Sequence, residues 1–403
     1  MAVVLSKGGL VGLKLGVGIG GGTLTTRFFC KMSKMMNVNM PCLPKFKSVV
    51  EDGKSTTSDD VAGFKFRVTS YNILAQVFVK SSFFPHSPSP CLRWKDRSEA
   101  ILMVLKSLES DFLCVQELDK YDDFYKEKLE MNGYSSIYIQ RSGKKRDGCG
   151  IFYKHNSAEL LLEEKIEYND LVPSVQDENL PCVSQRGDTE VTKNAASVVV
   201  EGAPPAKDHG DRGDPNDPCI RLKRDCVAIM GAFKLKDPSD HHVIVANTHL
   251  YWDPDLGDVK LAQAKYLQLR LSKFKSIISK KFGCNPSVIV CGDFNSTPGD
   301  KVYQCLVSGY SPTMPPLDSS EDLPIPLSSV YAFTGGEPAF TNCTPGFTDT
   351  IDYMFFSPCG YLKPVAVLEL PGQDSSDVVG GLPNFLHPSD HLPIGADFEV
   401  IHA

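Results

Sequence analysis

The sequence predicts an α/β fold, and three observations carry that expectation. Phe112 to Glu117 and Ser287 to Cys291 are short, nearly continuous apolar runs, as strands buried on both faces are. Stretches with apolar residues at helical spacing stand between such runs. The resulting order of strand, helix and strand requires helices layered on a sheet.

The elements follow in order. Gly53 to Asp60 is polar and turn-prone, so residues 1–62 read as an N-terminal segment and 63–403 as one domain. Phe64 to Asn72 alternates, with Phe64, Phe66 and Val68 on one face, as a strand does. Trp94 to Leu108 sets Ile101, Leu102, Leu105 and Leu108 on one helical face. Tyr121 to Met131 is a second helix and Gly148 to Lys154 a strand. Periodicity is lost at about 173–225, where Pro204-Pro205 and the Gly210 to Pro215 run mark a flexible insertion. Strands resume at Cys226 to Lys234 and His242 to His249, followed by a long helix at Val259 to Phe282. Past the Pro- and Ser-rich loop Ser308 to Pro326 come strands at Ile351 to Phe356, Ala366 to Leu370 and Ile394 to Val400.

Composition excludes little. At 42% hydrophobic and 23% charged the 403 residues are ordinary globular material. A formal charge of −7 rules out a generally basic nucleic-acid coat, though not local positive charge at a site. Thirteen cysteines, odd in number and lacking C-x-x-C spacing, read as reduced buried thiols. The first acid is Glu51, behind Lys7, Lys14, Arg27, Lys31 and Lys34, which fits either an organelle transit peptide or a disordered tail. Lys7, Lys14 and the glycines from Gly16 to Gly22 break the apolar stretch too early for a membrane span.

Most of the polar motifs sit directly behind apolar runs: Ser70-Tyr71-Asn72, Gln116-Glu117-Leu118, Asn247-Thr248-His249, Gly292-Asp293-Phe294-Asn295, Ile351-Asp352-Tyr353 and Ser389-Asp390-His391. They read as strand tips delivering polar side chains to one rim, and the residue types suit hydrolysis of a phosphate ester. That reaction needs phosphoryl charge neutralised and water deprotonated, work that one or two Mg²⁺ ions do with few carboxylate ligands. Glu117 is the natural first ligand, or else a surface acid. Asp293 can bind metal or take a proton while Asn295 donates, unless both merely shape a turn. His391, stiffened between Pro388 and Pro393, can act on phosphate with Asp352 fixing its tautomer. Asp352 alone could equally cap a loop, and His249 could be a core histidine.

Jointly these motifs resemble the endonuclease/exonuclease/phosphatase superfamily from about Val68 to Phe398. Within it, Ser70 to Ala75, Arg146-Asp147-Gly148-Cys149-Gly150 and Asn247 to Pro254, followed by Asp258-Val259-Lys260 and Gln263, are similar to deadenylases of the carbon catabolite repressor type, with nocturnin and the Angel proteins as cousins. The resemblance implies a four-layer α/β sandwich, two mixed β-sheets packed face to face with helices outside. It implies Mg²⁺, with Mn²⁺ as a substitute, held by Glu117, Asn72, Asp293 and Asp390. Catalysis would fall to Asp293, Asn295, Asp352, His391 and His249, and substrate binding to Asn72, Pro254, Phe347 and Arg146. Lys144-Lys145-Arg146 also has the simpler reading of a solvated basic turn.

The function so implied is a 3′-to-5′ exoribonuclease shortening poly(A) tails and releasing AMP. The rivals are an NADP(H) 2′-phosphatase on the same site and a catalytically inactive RNA-binding scaffold. The partner is poly(A) RNA. The first 60 residues cannot hold the leucine-rich repeats common ahead of such nuclease domains, which leaves docking to the large deadenylase complex open. Cytoplasm or nucleus is the expected location, or a mitochondrion or chloroplast if the basic N-terminus is a transit peptide.

Overall fold

The structure, a computed structural model, describes residues 44–49, 63–172, 217–236, 240–308, 324–358 and 361–401. Two mixed sheets form the centre. The first runs β1 (Phe46–Ser48), β14 (Leu362–Leu368), β15 (Ile394–Val400), β2 (Lys65–Asn72), β3 (Phe112–Gln116), β5 (Gly148–Lys154) and β4 (Tyr134–Gln140). The second runs β10 (Ser328–Ser329), β13 (Asp352–Phe356), β9 (Ser287–Asp293), β8 (His242–His249), β7 (Val227–Leu235) and β6 (Ala158–Glu167). β2 pairs with β3 and β8 with β9 in parallel, and every other pairing within the two sheets is antiparallel. A separate two-stranded ribbon, β11 (Asn342–Thr344) with β12 (Phe347–Asp349), precedes β13.

Each parallel pair needs a crossover, and a helix supplies it. Helix α1 (Trp94–Ser107) joins β2 to β3, with Asp96 in its first turn and Lys106 in its last to complement the dipole. The short α2 (Lys126–Glu130) follows β3. Helix α3 (Gly257–Phe282) joins β8 to β9, buries Val259, Leu267, Leu271, Phe274 and Ile278, and ends at Gly283 in the left-handed conformation that suits glycine. Helix α4 (Lys301–Ser308) packs beside it.

Three apolar clusters separate four layers. The central one holds Val68, Phe112, Ile151, Val245, Ile289 and Phe398 between the sheets. A second lies under α3 and α4, and a third under α1 and α2. Each fully buried Leu, Ile or Phe contributes roughly 1.5–3 kcal/mol, which makes the interior a stiff support for the strand ends. The expected α/β sandwich with helices outside is the observed architecture.

Several expectations are redrawn. β1 pairs with β14, so the first sheet begins before the expected start at residue 63. Strands β4 and β6 go beyond the expected elements, and α4 stands just ahead of the expected loop. Residues 217–225, expected within the insertion, are built in: Pro218–Arg221 forms a helical turn whose Arg221 pairs with Asp258 at 2.7 Å. The rest of that insertion, most of the N-terminal segment and residues 309–323 lie outside the described residues. All nine cysteines among the described residues are free, and six of them are buried while Cys219, Cys284 and Cys305 are partly exposed. Among the described residues no helix is long and apolar enough to cross a membrane.

Candidate active site

The carboxyl ends of the two parallel pairs meet at one rim. Asn72 of β2 stands opposite Gln116 of β3, His249 of β8 opposite Asp293 of β9, and Asp352 of β13 opposite Asp293. Open sheets present ligands at such strand ends because the chain leaves the ladder there. Glu117 and Asn295 do so with positive φ, 56° and 48°, an uncommon conformation for residues other than glycine and one often kept at functional sites. Gly292, which ahead of Asp293 invites reading as a sharp turn, is not one. It lies within β9, where a Cβ would collide with the Thr248 carbonyl, so glycine is required for β9 to run close beside β8.

Asn72 is the hinge of the constellation. Its Nδ2 donates to Glu117 Oε1 at 3.0 Å and to Asp293 Oδ2 at 2.9 Å, joining a carboxylate from each sheet. Its Oδ1 accepts from the Leu74 amide at 3.0 Å, so the amide bridges ligands rather than offering an oxygen itself. Glu117 Oε2 accepts from the Ala75 amide at 2.8 Å, and Asp293 Oδ1 from the Asn295 amide at 3.0 Å. His391 Nδ1 lies 2.8 Å from Asp352 Oδ2, which also accepts from Thr341 Oγ1 at 2.7 Å. The second nitrogen of His391 is 3.7 Å from Asp293 Oδ2, and His249 Nε2 is 3.5 Å from the same oxygen.

The electrostatics separate the two histidines. Burial, then the Arg141 and His391 charges, hold His249 well below the ordinary histidine range, so it is neutral. Burial opposes a charge on His391 too, but Asp352 and Asp293 outweigh it and hold its pKa well above the usual range. Glu117 is pushed up to about 7 by burial and then by Asp390 and Asp147. Asp293 is pushed up to about 7 by burial and then by Asp352. Asp352 Oδ1 is buried with no hydrogen-bond partner among the described residues.

These carboxylates lack positive charge, and a divalent cation fits them. Asp293, Asp352 and His391 bring one ligand atom each within 4.8 Å of one another. A protonated His391 satisfies that cluster equally well, which leaves Glu117 and Asp293, held by one amide, as the pair best placed for a cation. A pH dependence follows. Without metal both carboxyls stay protonated in the fold up to about pH 7, whereas unfolded they ionise near ~4. Stability therefore falls as pH rises through that window, and a cation that needs both ionised stabilises more at its top. The gain in melting temperature on adding Mg²⁺ is expected to be roughly 5 °C larger at pH 8 than at pH 5; equal gains would contradict the assignment.

Around this centre lies a cleft of about 550 Å³. Glu117, His249, Asp293, Asn295, Asp390 and His391 line it, as do Pro254 and Phe347. Asn72 and Asp352 stand behind it, buried. Arg146 does not line it: the β4–β5 turn aims Arg146 into a neighbouring recess, and Arg141 and Lys145 take the cleft wall. Sequence reasoning missed Arg141, which lacks any motif. It also missed Arg97, a lone cation on an otherwise apolar helix face. Arg97 is 1% exposed and donates to the carbonyls of Ile73, Leu74 and Pro388 and to Gln76 Oε1, tying both loops of the site to α1. Asn247, which the sequence shows only as part of a motif, bonds through its amide to Val115 and Gly150 of the other sheet.

Comparison with known proteins decides the family. The profile of the endonuclease/exonuclease/phosphatase family matches residues 69–391, a span that carries every residue of the constellation. The chain belongs to that family. Like its members it is an enzyme fold whose relatives include nucleases and phosphatases. The Arabidopsis thaliana protein named carbon catabolite repressor protein 4 homolog 4 is 57% identical over 349 residues, 86% of this chain and 81% of that protein. A Candida albicans CCR4-Not complex 3′-5′-exoribonuclease subunit is 28% identical over 87% of this chain. The chain spans 44% of that subunit's length.

Among solved structures, ANGEL2, described as a 2′,3′-cyclic phosphatase and bound to adenosine-2′,3′-vanadate, superposes with a TM-score of 0.63 at 27% identity, covering 89% of this chain and 98% of its own. The human nocturnin catalytic domain, with a TM-score of 0.56 at 22% identity over 89% of this chain and 97% of its own, shares the fold.

Proposed function

We propose that this chain is a Mg²⁺-dependent 3′-to-5′ exoribonuclease that removes adenosines from RNA tails and releases AMP. One observation carries the reading: a carboxylate rim that calls for a divalent cation opens into a cleft walled by Pro254 and Phe347, with Trp252 beside them. Phe347 and Trp252 are 45% and 63% exposed, large apolar side chains left open on the cleft wall. Bases stack on such faces at about 1–3 kcal/mol each, so Phe347→Ala is expected to raise KM for an oligoadenylate roughly tenfold or more with kcat little changed. An unaltered KM would remove Phe347 from the substrate site. The relatives named as 3′-5′-exoribonuclease subunits support the choice of RNA.

The bound cation would supply Lewis-acid polarisation of the phosphoryl oxygens and a more acidic water. Protonated His391, oriented by Asp352, which Thr341 in turn holds, places positive charge where a phosphoryl oxygen develops negative charge. Asp293, ionised when the cation is bound, would accept the proton of the attacking water. Neutral His249 can donate to a second phosphoryl oxygen without competing for that proton. Asn295, whose Nδ2 is tied to the Leu250 carbonyl at 3.0 Å, sets the floor of the cleft.

A second reading, removal of a terminal phosphate, is favoured by the likeness to ANGEL2 with its adenosine-based ligand. Parallel incubations with oligoadenylate, RNA ending in a 2′,3′-cyclic phosphate, and NADPH separate the two. AMP from the first supports the exonuclease, and phosphate release from either of the others alone overturns it. Membership of a CCR4-Not complex, as the fungal subunits' names record for them, is a further proposal, checked by co-purification.

A further inference from the structure

Beside the cleft is a second recess, of about 330 Å³, lined by Val77, Phe78, Lys144, Lys145, Arg146 and Asp147. Phe78 and Lys145 line both cavities, so the two adjoin at that wall, whereas Pro254 and Phe347 line the cleft alone. We propose that this recess is a phosphate subsite for the backbone of a single-stranded polynucleotide, holding the strand beyond the nucleotide that occupies the cleft. The proposal rests on the exoribonuclease reading and adds the demand for a polymer.

Three observations support it. Lys144, Lys145 and Arg146 are exposed, and among the described residues none of their side chains has an ion pair or hydrogen bond. The one acid in the recess, Asp147, is buried and paired with Arg141 at 3.2 Å, so the free charge is positive, on a chain whose net charge is −7.

The turn is also built rather than loose. Arg141 N–H donates to the Asp147 carbonyl at 2.9 Å, Gln140 Nε2 to the Lys145 carbonyl at 2.9 Å, and Ser142 Oγ and Arg141 Nε bond to Asp225 at 3.2 and 3.1 Å. Gly143, at φ 68°, gives the turn its left-handed step. A solvated basic loop needs no such anchoring. Three cations carried on an anchored turn next to an apolar ring match a polyanion whose phosphates alternate with sugars and bases. A mononucleotide seated on Pro254 and Phe347 has no second phosphate to offer them.

The test compares wild type with Lys144→Ala/Arg146→Ala, leaving Lys145 and the cleft intact. Binding of 5′-fluorescein-labelled decaadenylate is followed by anisotropy in EDTA, where nothing is cleaved, and AMP binding by calorimetry. The double variant is expected to bind decaadenylate roughly tenfold more weakly. Its plot of log affinity against log salt should be shallower by about 0.7 for each phosphate no longer neutralised. AMP affinity should be unchanged, and Lys144→Arg/Arg146→Lys should bind as wild type. An unchanged decaadenylate affinity and salt slope, or an equal loss for AMP, would overturn the subsite. Whether Mg²⁺-loaded wild type shortens the same oligomer is scored separately, so failure of the nuclease reading is distinguishable from failure of the subsite.

Discussion

Asp293→Asn is expected to slow phosphodiester hydrolysis by roughly 10³- to 10⁴-fold with little change in the stability of the metal-free fold. The substitution keeps the shape of a side chain that is 1% exposed, and its oxygen can still accept from the Asn295 amide. What it removes is the charge that Asp352 opposes and that burial penalises, which offsets the loss of the bond that Asp293 Oδ2 accepts from Asn72 Nδ2, so metal-free protein should melt close to wild type. The same charge is what a cation and an attacking water need, and the Mg²⁺-induced rise in melting temperature should shrink with the rate. Single-turnover hydrolysis with melting curves in EDTA and in Mg²⁺ measures all three quantities. A variant retaining more than about a tenth of the wild-type rate would place the proton acceptor elsewhere.

Arg97→Ala should produce the largest loss of stability, about 3–5 kcal/mol by urea unfolding. Arg97 donates to three main-chain carbonyls and to the Gln76 side chain, at 2.7–2.9 Å. Ile73 and Leu74 follow Asn72, and Pro388 precedes Asp390 and His391, so one guanidinium fixes both loops. Truncation leaves buried carbonyls unpaired as well as a void. Arg97→Lys should recover little, because a single ammonium cannot span four separated acceptors. A loss under about 1 kcal/mol would show that the loops hold themselves.

Much of this is legible in the chain because the site lies where regular elements end. β3 and β9 are short apolar runs buried along their whole length, and the residues at their ends, Glu117 and Asp293, are those proposed to carry the chemistry. Strands such as β4, with Ser135, Ser136 and Gln140, and β6, with four glutamates, are hidden because an edge strand half in water loses clear alternation. Glu117 and Asn295 can be named as site residues, but their left-handed backbone cannot be foreseen, since nothing local demands it. The pairing of His391 with Asp352 follows from residue types. Arg97 and Arg141 escape because they bond to main-chain carbonyls far away in sequence, those of Ile73, Leu74 and Pro388 for Arg97 and that of Asp225 for Arg141, contacts that only the folded chain creates.

The most direct test of the central claim is a gel of 5′-labelled RNA carrying a heteropolymer body and an adenosine tail, incubated with the protein and Mg²⁺. The account predicts a ladder descending one nucleotide at a time from the 3′ end, slowing where the tail meets the body, with AMP accumulating and EDTA abolishing both. Full-length RNA alongside phosphate release from NADPH or from a 2′,3′-cyclic end would contradict it.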